Sequence, residues 1–509
     1  MSASEADRRR RSTPPLLPPG HLPVLIGRQP KREVSGRLHP AVLFRPIVRA
    51  VQVLIPVALV DAAGNADLLW IFVAYGVAFI LQMAAAVIRY ATFTFHFDGE
   101  RLELSWGVLS RHTRTLPVAR VINMSSKRAL WHRIFGAVEV RVETAGGADE
   151  DAVIEALSSE DAARLQAVIR ECRPDAGRSA VGAAEDHVVR RFAFKDGVLH
   201  GLTSNVLAAV GFILGVILDN LDSLQFLEFD TKTWMRQTTP EMIVLAVLAC
   251  LALIWLGSIV TSLVRFHGFT LMRSPAGDLT TRFGLITVHE GRIFRGRVQD
   301  LVIHESPLRR PFGLASLRVL SAGSTGVEEP KAGSEILLPL ARMREVPALA
   351  REVFPELDSW PEFRPVHPRS RRRNMVRIGW LPLLLACGAA FEWPTALLAL
   401  PPILGLTWVL ARLRYANTGY QVTDAFVFVR SGILGRTTHV VPKTRLQTMS
   451  RHENPIDRRL GLSTLTLDTA ARTALHPPRV PDIPPATADH IRSACLQQAF
   501  EEVLSSEGG

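Results

Sequence analysis

Apolar residues occur along this chain in two patterns, long unbroken runs and short alternating ones, and the two patterns take turns. Leu68–Ile88 and Met242–Val264 hold no charged residue over a length that crosses a bilayer as a helix. Gly201–Leu218 is nearly as clean, interrupted by Asn205, and Pro394–Ala411 is uncharged but contains Pro401-Pro402, which reads as a break in the helix. Two weaker runs remain: Pro46–Val60 contains Arg49, and Ile378–Phe391 is short. Each weak run precedes or partners a strong one, which predicts three helical hairpins and six membrane-spanning helices.

After each hairpin the period changes to two. Phe93, Phe95 and Phe97 alternate with polar residues, Asp98-Gly99 supplies a hairpin turn, and Leu102, Leu104 and Trp106 alternate on the return strand. Gly107 stops that strand, "TRTLPVARVINM" reads as extended chain, and "VEVRVETAG" and "DAVIEALS" read as further strands. Ser158 with Asp161 predicts a helix N-terminus, followed by an apolar stripe of Leu165, Val168, Ile169 and Cys172. Leu349 and Val353 close a second such segment, and Ile491, Cys495 and Phe500 a third.

The three segments are one unit written three times. "ARVINMSSKRALWHRIFG", "GRVQDLVIHESPLRRPFG" and "TRLQTMSRHENPIDRRLG" align without gaps. Arg120, Arg297 and Arg445 coincide, as do Arg133, Arg310 and Arg458 and the closing glycines Gly136, Gly313 and Gly461. Upstream, Gly107, Gly284 and Gly432 coincide at the end of the first hairpin. The expected class is an α+β membrane protein: three transmembrane hairpins, each followed by an antiparallel β-sheet or barrel domain closed by a C-terminal helix. The expected boundaries are a basic, Pro-rich, disordered tail over 1–39, hairpins over 40–89, 199–264 and 376–412, and domains over 90–173, 265–356 and 413–505. Linkers cover 174–198 and 357–375, the second of them basic.

Charge orients these elements. The chain has 59 Lys+Arg against 48 Asp+Glu, and arginines flank the outer ends of the hairpins (Arg37, Arg45, Arg89, Arg190, Arg191, Arg265, Arg371–Arg373, Arg412, Arg414) while the connections within hairpins are acidic or neutral. The positive-inside rule then puts both termini and all three domains in the cytoplasm, at the cytoplasmic (inner) membrane. That accounts for the positive charge without nucleic acid. The middle of the first block argues the same way, since Lys127 and Arg128 become His304 and Glu305, then His452 and Glu453.

Catalytic signatures are missing from the sequence. No lysine follows a glycine, there is no G-x-S-x-G or H-E-x-x-H, and the four cysteines and fifteen histidines have no metal-ligand spacing. No catalytic, cofactor-binding or metal-binding residue is assigned, no cofactor is expected, and the chain reads as a non-enzyme. Gly211-x3-Gly215 reads as a helix-packing face.

The hairpin followed by the R…R-x-[FL]-G block and a "TAG"-like strand resembles the YdbS/YdbT-type family of bacterial membrane proteins with pleckstrin-homology-like domains. Three units in one chain look YdbT-like. The resemblance covers roughly Pro40 to Glu502 and implies a seven-stranded bent sheet with a C-terminal helix and no established catalysis. It also implies a part in envelope stress or antimicrobial-peptide resistance, and a single-unit, YdbS-like protein as a partner. The units have diverged: Phe294 stands where the others have Pro117 and Pro442, and Ile122 where the others have Gln299 and Gln447. The first hairpin loops, "FDGER", "SPAGD" and "VTDAF", are acidic to neutral, which argues against inositol-phosphate binding by that route.

Two roles stay open for Arg120, Arg133, Arg297, Arg310, Arg445 and Arg458: contacts to lipid head groups or a partner's carboxylates, or internal pins for the segment before each glycine. The functional expectation is a scaffold or interaction platform at the membrane, touching lipid and a protein partner. The alternative is an accessory or transporter-like protein that handles lipid or peptide through its helix bundle.

Overall fold

A computed structural model describes residues 33–48, 50, 68–108, 110–118, 121–144, 152–171, 187–204, 240–275, 277–321, 336–391, 393–471 and 477–495. Among the described residues each repeat contributes seven strands. The first has β1 (Val34–Arg37), β2 (Thr94–Phe97), β3 (Arg101–Trp106), β4 (His112–Pro117), β5 (Val121–Arg128), β6 (Ala137–Thr144) and β7 (Ala152–Ser158), then a helix over Ser159–Glu171. The second has β8 (His187–Arg191), β9 (Thr270–Arg273), β10 (Leu279–Phe283), β11 (Val288–Ile293), β12 (Val298–Glu305), β13 (Leu314–Ser321) and β14 (Ile336–Arg342), then a helix over Val346–Val353. The third has β15 (Arg364–Pro365), β16 (Gly419–Val422), β17 (Phe426–Ser431), β18 (Arg436–Pro442), β19 (Leu446–His452), β20 (Ser463–Thr469) and β21 (Arg479–Ile483), with helix over 485–495.

The alternation read from sequence sets the core. Phe93, Phe95, Phe97, Leu102 and Leu104 are all buried, and they meet Val138, Val140, Ile154, Leu165 and Ile169 from the second half of the unit. The turn at Asp98-Gly99 forms as the residue types require: the Asp98 carboxylate accepts from the amides of Glu100 and Arg101, and Gly99 takes a positive φ of 93°. Ser158 caps its helix, its hydroxyl accepting from the Asp161 amide at 3.0 Å.

In chain order the first strand of each unit precedes the helices and the rest follow them. β1 pairs with β2 (Val34 opposite Phe97), β8 with β9 (His187 opposite Arg273) and β15 with β16 (Arg364 opposite Tyr420). These strands fall in the stretches expected as tail and linkers. With two to five residues each, they are too short to carry a readable period. The chain therefore enters each sheet, departs into the segment that carries the helices, and returns beside the strand it left. Ion pairs fasten the returning ends: Glu155 on β7 takes Arg45 and Arg89, the latter at 3.2 Å.

Helices cover Leu68–Thr92, Phe194–Thr203, Pro240–Arg265, Ser370–Ala389 and Leu400–Asn417. Among the described residues two are long and apolar enough to cross a membrane, over Tyr75–Thr92 and Pro394–Asn417, and Leu251–Arg265 is a shorter apolar helix. Most of Pro46–Val60 and Gly201–Leu218 lies outside the described residues, and so does Gly211-x3-Gly215. Where two helices of a hairpin are both described they touch closely. A Cβ on Gly201 would come within 2.5 Å of the Ile259 Cα, and one on Gly379 within 2.8 Å of the Thr407 side chain. Pro401-Pro402 does not break a helix, as the sequence had suggested. Both prolines sit in the first turn of Leu400–Asn417, after a short 3-10 turn over Pro394–Ala399, where no i−4 hydrogen bond is lost.

Candidate functional site at the joints between repeats

Within a unit, β4 does not pair with β5. The chain turns a corner through a short 3-10 turn, Arg295–Arg297 in the second unit and Lys443–Arg445 in the third, and enters a different sheet. The sheets consequently run β1-β2-β3-β4, then β7-β6-β5-β11-β10-β9-β8, then β14-β13-β12-β18-β17-β16-β15, then β19-β20-β21. Each seven-stranded sheet is shared by two consecutive units, three strands from one and four from the next.

The two joints use one register. At the first, Val288 lies opposite Arg128 and His289 opposite Lys127. At the second, Arg436 lies opposite Glu305 and Thr437 opposite His304. In the gapless alignment these are the same two pairs of positions. Both joints are antiparallel, so the second half of one unit receives the fourth strand of the next in a fixed way.

Three of the six repeated arginines sit at these joints. Arg133 of the first unit donates to the Leu285 carbonyl of the second at 2.9 Å. Arg310 of the second donates to the Leu434 carbonyl of the third at 3.5 Å, and Arg445 of the third donates back to the Gly296 carbonyl of the second. The Arg297 carbonyl accepts from the Gln299 side chain at 3.2 Å. Arg120 lies outside the described residues. Arg458 lies in the third unit, and among the described residues no unit follows for it to clasp.

The glycines shape the same surfaces. Gly107, Gly284 and Gly432 have φ of 103°, 114° and 156°, and a Cβ on any of them would lie about 2 Å from a backbone carbonyl oxygen across the turn. That tight turn presents the carbonyls that Arg133 and Arg310 reach. Gly136, Gly313 and Gly461, at φ 68°, 62° and 65°, end the short helical turn that carries each clasping arginine.

The second joint is the tighter one. Arg436 grips Glu305 with two hydrogen bonds of 2.7 and 2.8 Å, and the Glu305 side chain is almost fully buried. His439 Nδ1 lies 2.6 Å from an oxygen of buried Asp300. Leu301 and Ile303 of β12 share a core with Phe426, Phe428 and Val440 of the third unit. At the first joint the residues corresponding to those three are polar, Asp278, Thr280 and Arg292, with Arg292 paired to Asp278 at 3.1 Å.

Burial pulls the His439 pKa down, but the charge and hydrogen bond of Asp300 lift it further, so the net displacement is upward. A raised histidine stabilises the folded state fully below the unfolded value of about 6.5, and that contribution is lost as pH rises through the folded value. The unfolding midpoints of wild type and His439→Gln should therefore differ most near pH 5.5 and converge on the alkaline side. A gap independent of pH from 5.5 to 9 would exclude the charged pair.

Sequence reasoning missed Asp300, His439, Glu305 and Arg436, because each is partnered across a sheet by a residue more than a hundred positions away. One readable sign existed. "FVFV" at Phe426–Val429 is apolar at every position, the mark of a strand buried on both faces, whereas "RLEL" at Arg101–Leu104 alternates. The arginine cluster before the third hairpin is likewise engaged: Arg369 donates to the Leu460 carbonyl at 3.0 Å, Arg371 lies over the Tyr415 ring, and Arg373 is paired with Asp457 and Asp482.

A family model described as the bacterial PH domain matches the chain three times, over residues 49–173, 212–356 and 377–499. The chain is also similar to the transmembrane protein YdbT of Bacillus subtilis (strain 168), 24% identical over 422 residues that cover 79% of this chain and 84% of that one. No solved structure matches it.

Proposed function

Because this chain belongs to the bacterial PH domain family and is a YdbT-like membrane protein, we propose that its three units act together as one non-catalytic interaction platform on the cytoplasmic face of the inner membrane. Six spans in three hairpins carry it, with both termini in the cytoplasm. The role in envelope stress or antimicrobial-peptide resistance implied by the resemblance belongs to the same proposal.

The observation that supports this reading is the fusion of the units. Independent binding modules on flexible linkers would leave their sheets separate. Here two sheets run continuously across unit boundaries in one register, and conserved positions of the repeat are occupied by arginines that clasp the neighbouring unit. Such a body holds three surfaces at fixed spacing above the bilayer, which suits a scaffold.

Two measurements test it. Reporter fusions at residues 65, 225, 392 and 509 should place the first three outside and the last inside. Affinity isolation in mild detergent should recover at least one protein in fixed ratio with wild type and lose it when Glu305→Lys opens the second joint. A chain that purifies alone, or a partner indifferent to the opened joint, would sink the platform reading.

A further inference from the structure

The joint between units has two halves, and among the described residues one of each has no partner strand. β4 is an edge strand of the first sheet and β19 is an edge strand of the last. β4 occupies in the first unit the place that β11 and β18 occupy at the two internal joints. β19 occupies in the third unit the place of β5 and β12. We propose that β19 of one chain receives β4 of a second copy, forming a head-to-tail joint in the register already used twice within each chain.

The alignment fixes that register without adjustable choices. Val288 and Arg436 correspond to Arg111, while Arg128 and Glu305 correspond to Glu453. Arg111 of one copy therefore lies opposite Glu453 of the other, the same charge pair as Arg436 opposite Glu305. His112 falls opposite His452, and Thr113 opposite Arg451. Arg458, counterpart of the clasping Arg133 and Arg310, is exposed. Val108, counterpart of Leu285 whose carbonyl Arg133 reaches, is 67% exposed.

The side chains also set the strength of this joint. On the outer face of the first sheet, Arg101, Glu103 and Thr115 stand where the third unit has Phe426, Phe428 and Val440. The polar first joint, with Asp278, Thr280 and Arg292 at those places, is the closer precedent. On the receiving side, Arg451 replaces buried Ile303 and is paired with Asp489 and Glu453, the latter at 3.2 Å. Charges of this kind keep a bare edge from pairing indiscriminately. The contact is therefore reversible, and it forms because hairpins confine the copies to one membrane plane and raise their local concentration. A head-to-tail contact does not close on itself as a twofold dimer does, so it propagates into rows or rings.

Cysteine cross-linking in membranes tests the register directly, in the full-length chain with its four native cysteines replaced. One tagged copy carries His112→Cys and a second, differently tagged, carries His452→Cys. A mixed-tag cross-link is expected for this pair and not for His112→Cys with Arg479→Cys, which lies on the opposite edge strand of the last sheet. Glu453→Lys should cut the yield at least about tenfold, and Arg111→Glu in the other copy should restore it. The intrachain pair Lys127→Cys with His289→Cys reports in the same samples that the internal joint has formed. With that control positive, absence of the mixed cross-link overturns the proposal. So does a preference for 112–112 or 452–452 products, or a charge swap that fails to restore the yield. The result is independent of whether any other protein co-purifies.

Discussion

Replacing Arg373 with methionine should destabilise the third unit by about 3–5 kcal/mol, the range for removing one member of a buried ion pair. Arg373 stands in the first turns of the helix Ser370–Ala389 and reaches two carboxylates at once. Its second guanidinium nitrogen donates to Asp457 at 3.0 Å, and its Nε lies 3.1 Å from Asp482. Both aspartates are buried, and Asp482 is also held by the Ser370 hydroxyl. Without the guanidinium, two carboxylates would remain in a poorly solvated site without the cation that hydrogen-bonds them, leaving only the weaker influence of Arg414 on Asp482 and His452 on Asp457.

The pH dependence separates this account from loss of packing. Burial pushes the Asp457 pKa up, but the hydrogen bond and charge of Arg373 lower it by more, so the group sits below its ordinary range. A depressed carboxylate contributes stability above the unfolded value of about 3.9 and loses it as pH falls through the folded value. The deficit of Arg373→Met should accordingly shrink as Asp457 takes up a proton in acid. Adding Asp457→Asn should recover part of the loss at neutral pH. Thermal unfolding in detergent, followed at pH 4.5 and 7.5, checks both statements. An equal deficit at the two pH values, with no recovery in the double variant, would point to lost packing of the arginine stem.

Much of the unit was legible in the sequence because it is local. Phe93, Phe95, Phe97, Leu102 and Leu104 alternate within a few residues of one another, and their turn is written next to them as Asp98-Gly99. The repeated block located Arg133, Arg310 and Arg445 for the same reason. Their role was not legible, since the carbonyls they reach lie in another unit and no short-range pattern encodes them. The arginines before the third hairpin show the opposite limit. A run such as Arg371–Arg373 has one composition but several environments: Arg371 lies over Tyr415 and Arg373 is buried against aspartates. The positive-inside pattern describes the run, whereas the fold assigns each member.

Phe428→Ala should also cost about 3–5 kcal/mol, the range for emptying a buried phenylalanine site, and the loss should appear in the wrong unit. Phe428 belongs by sequence to the third repeat, yet its ring packs edge-on against Trp360 and Phe363, and it shares a core with Leu301, Leu317 and Val353 of the second. Its neighbours on the same strand, Val427 and Val429, point the other way, into a core with Leu465, Leu467 and Val480. One strand thus seals two cores, one on each face. Hydrogen exchange read by mass spectrometry should show Phe428→Ala releasing β12, β13 and the helix Val346–Val353, with β20 and β21 less affected. Val429→Ala should give the reverse pattern with a smaller total effect. If Phe428→Ala loosened the third unit alone, the sheet would not be shared in the way its register describes. If both variants released all three units equally, the array would unfold as a single cooperative block, and the joints would be as strong as the cores they connect.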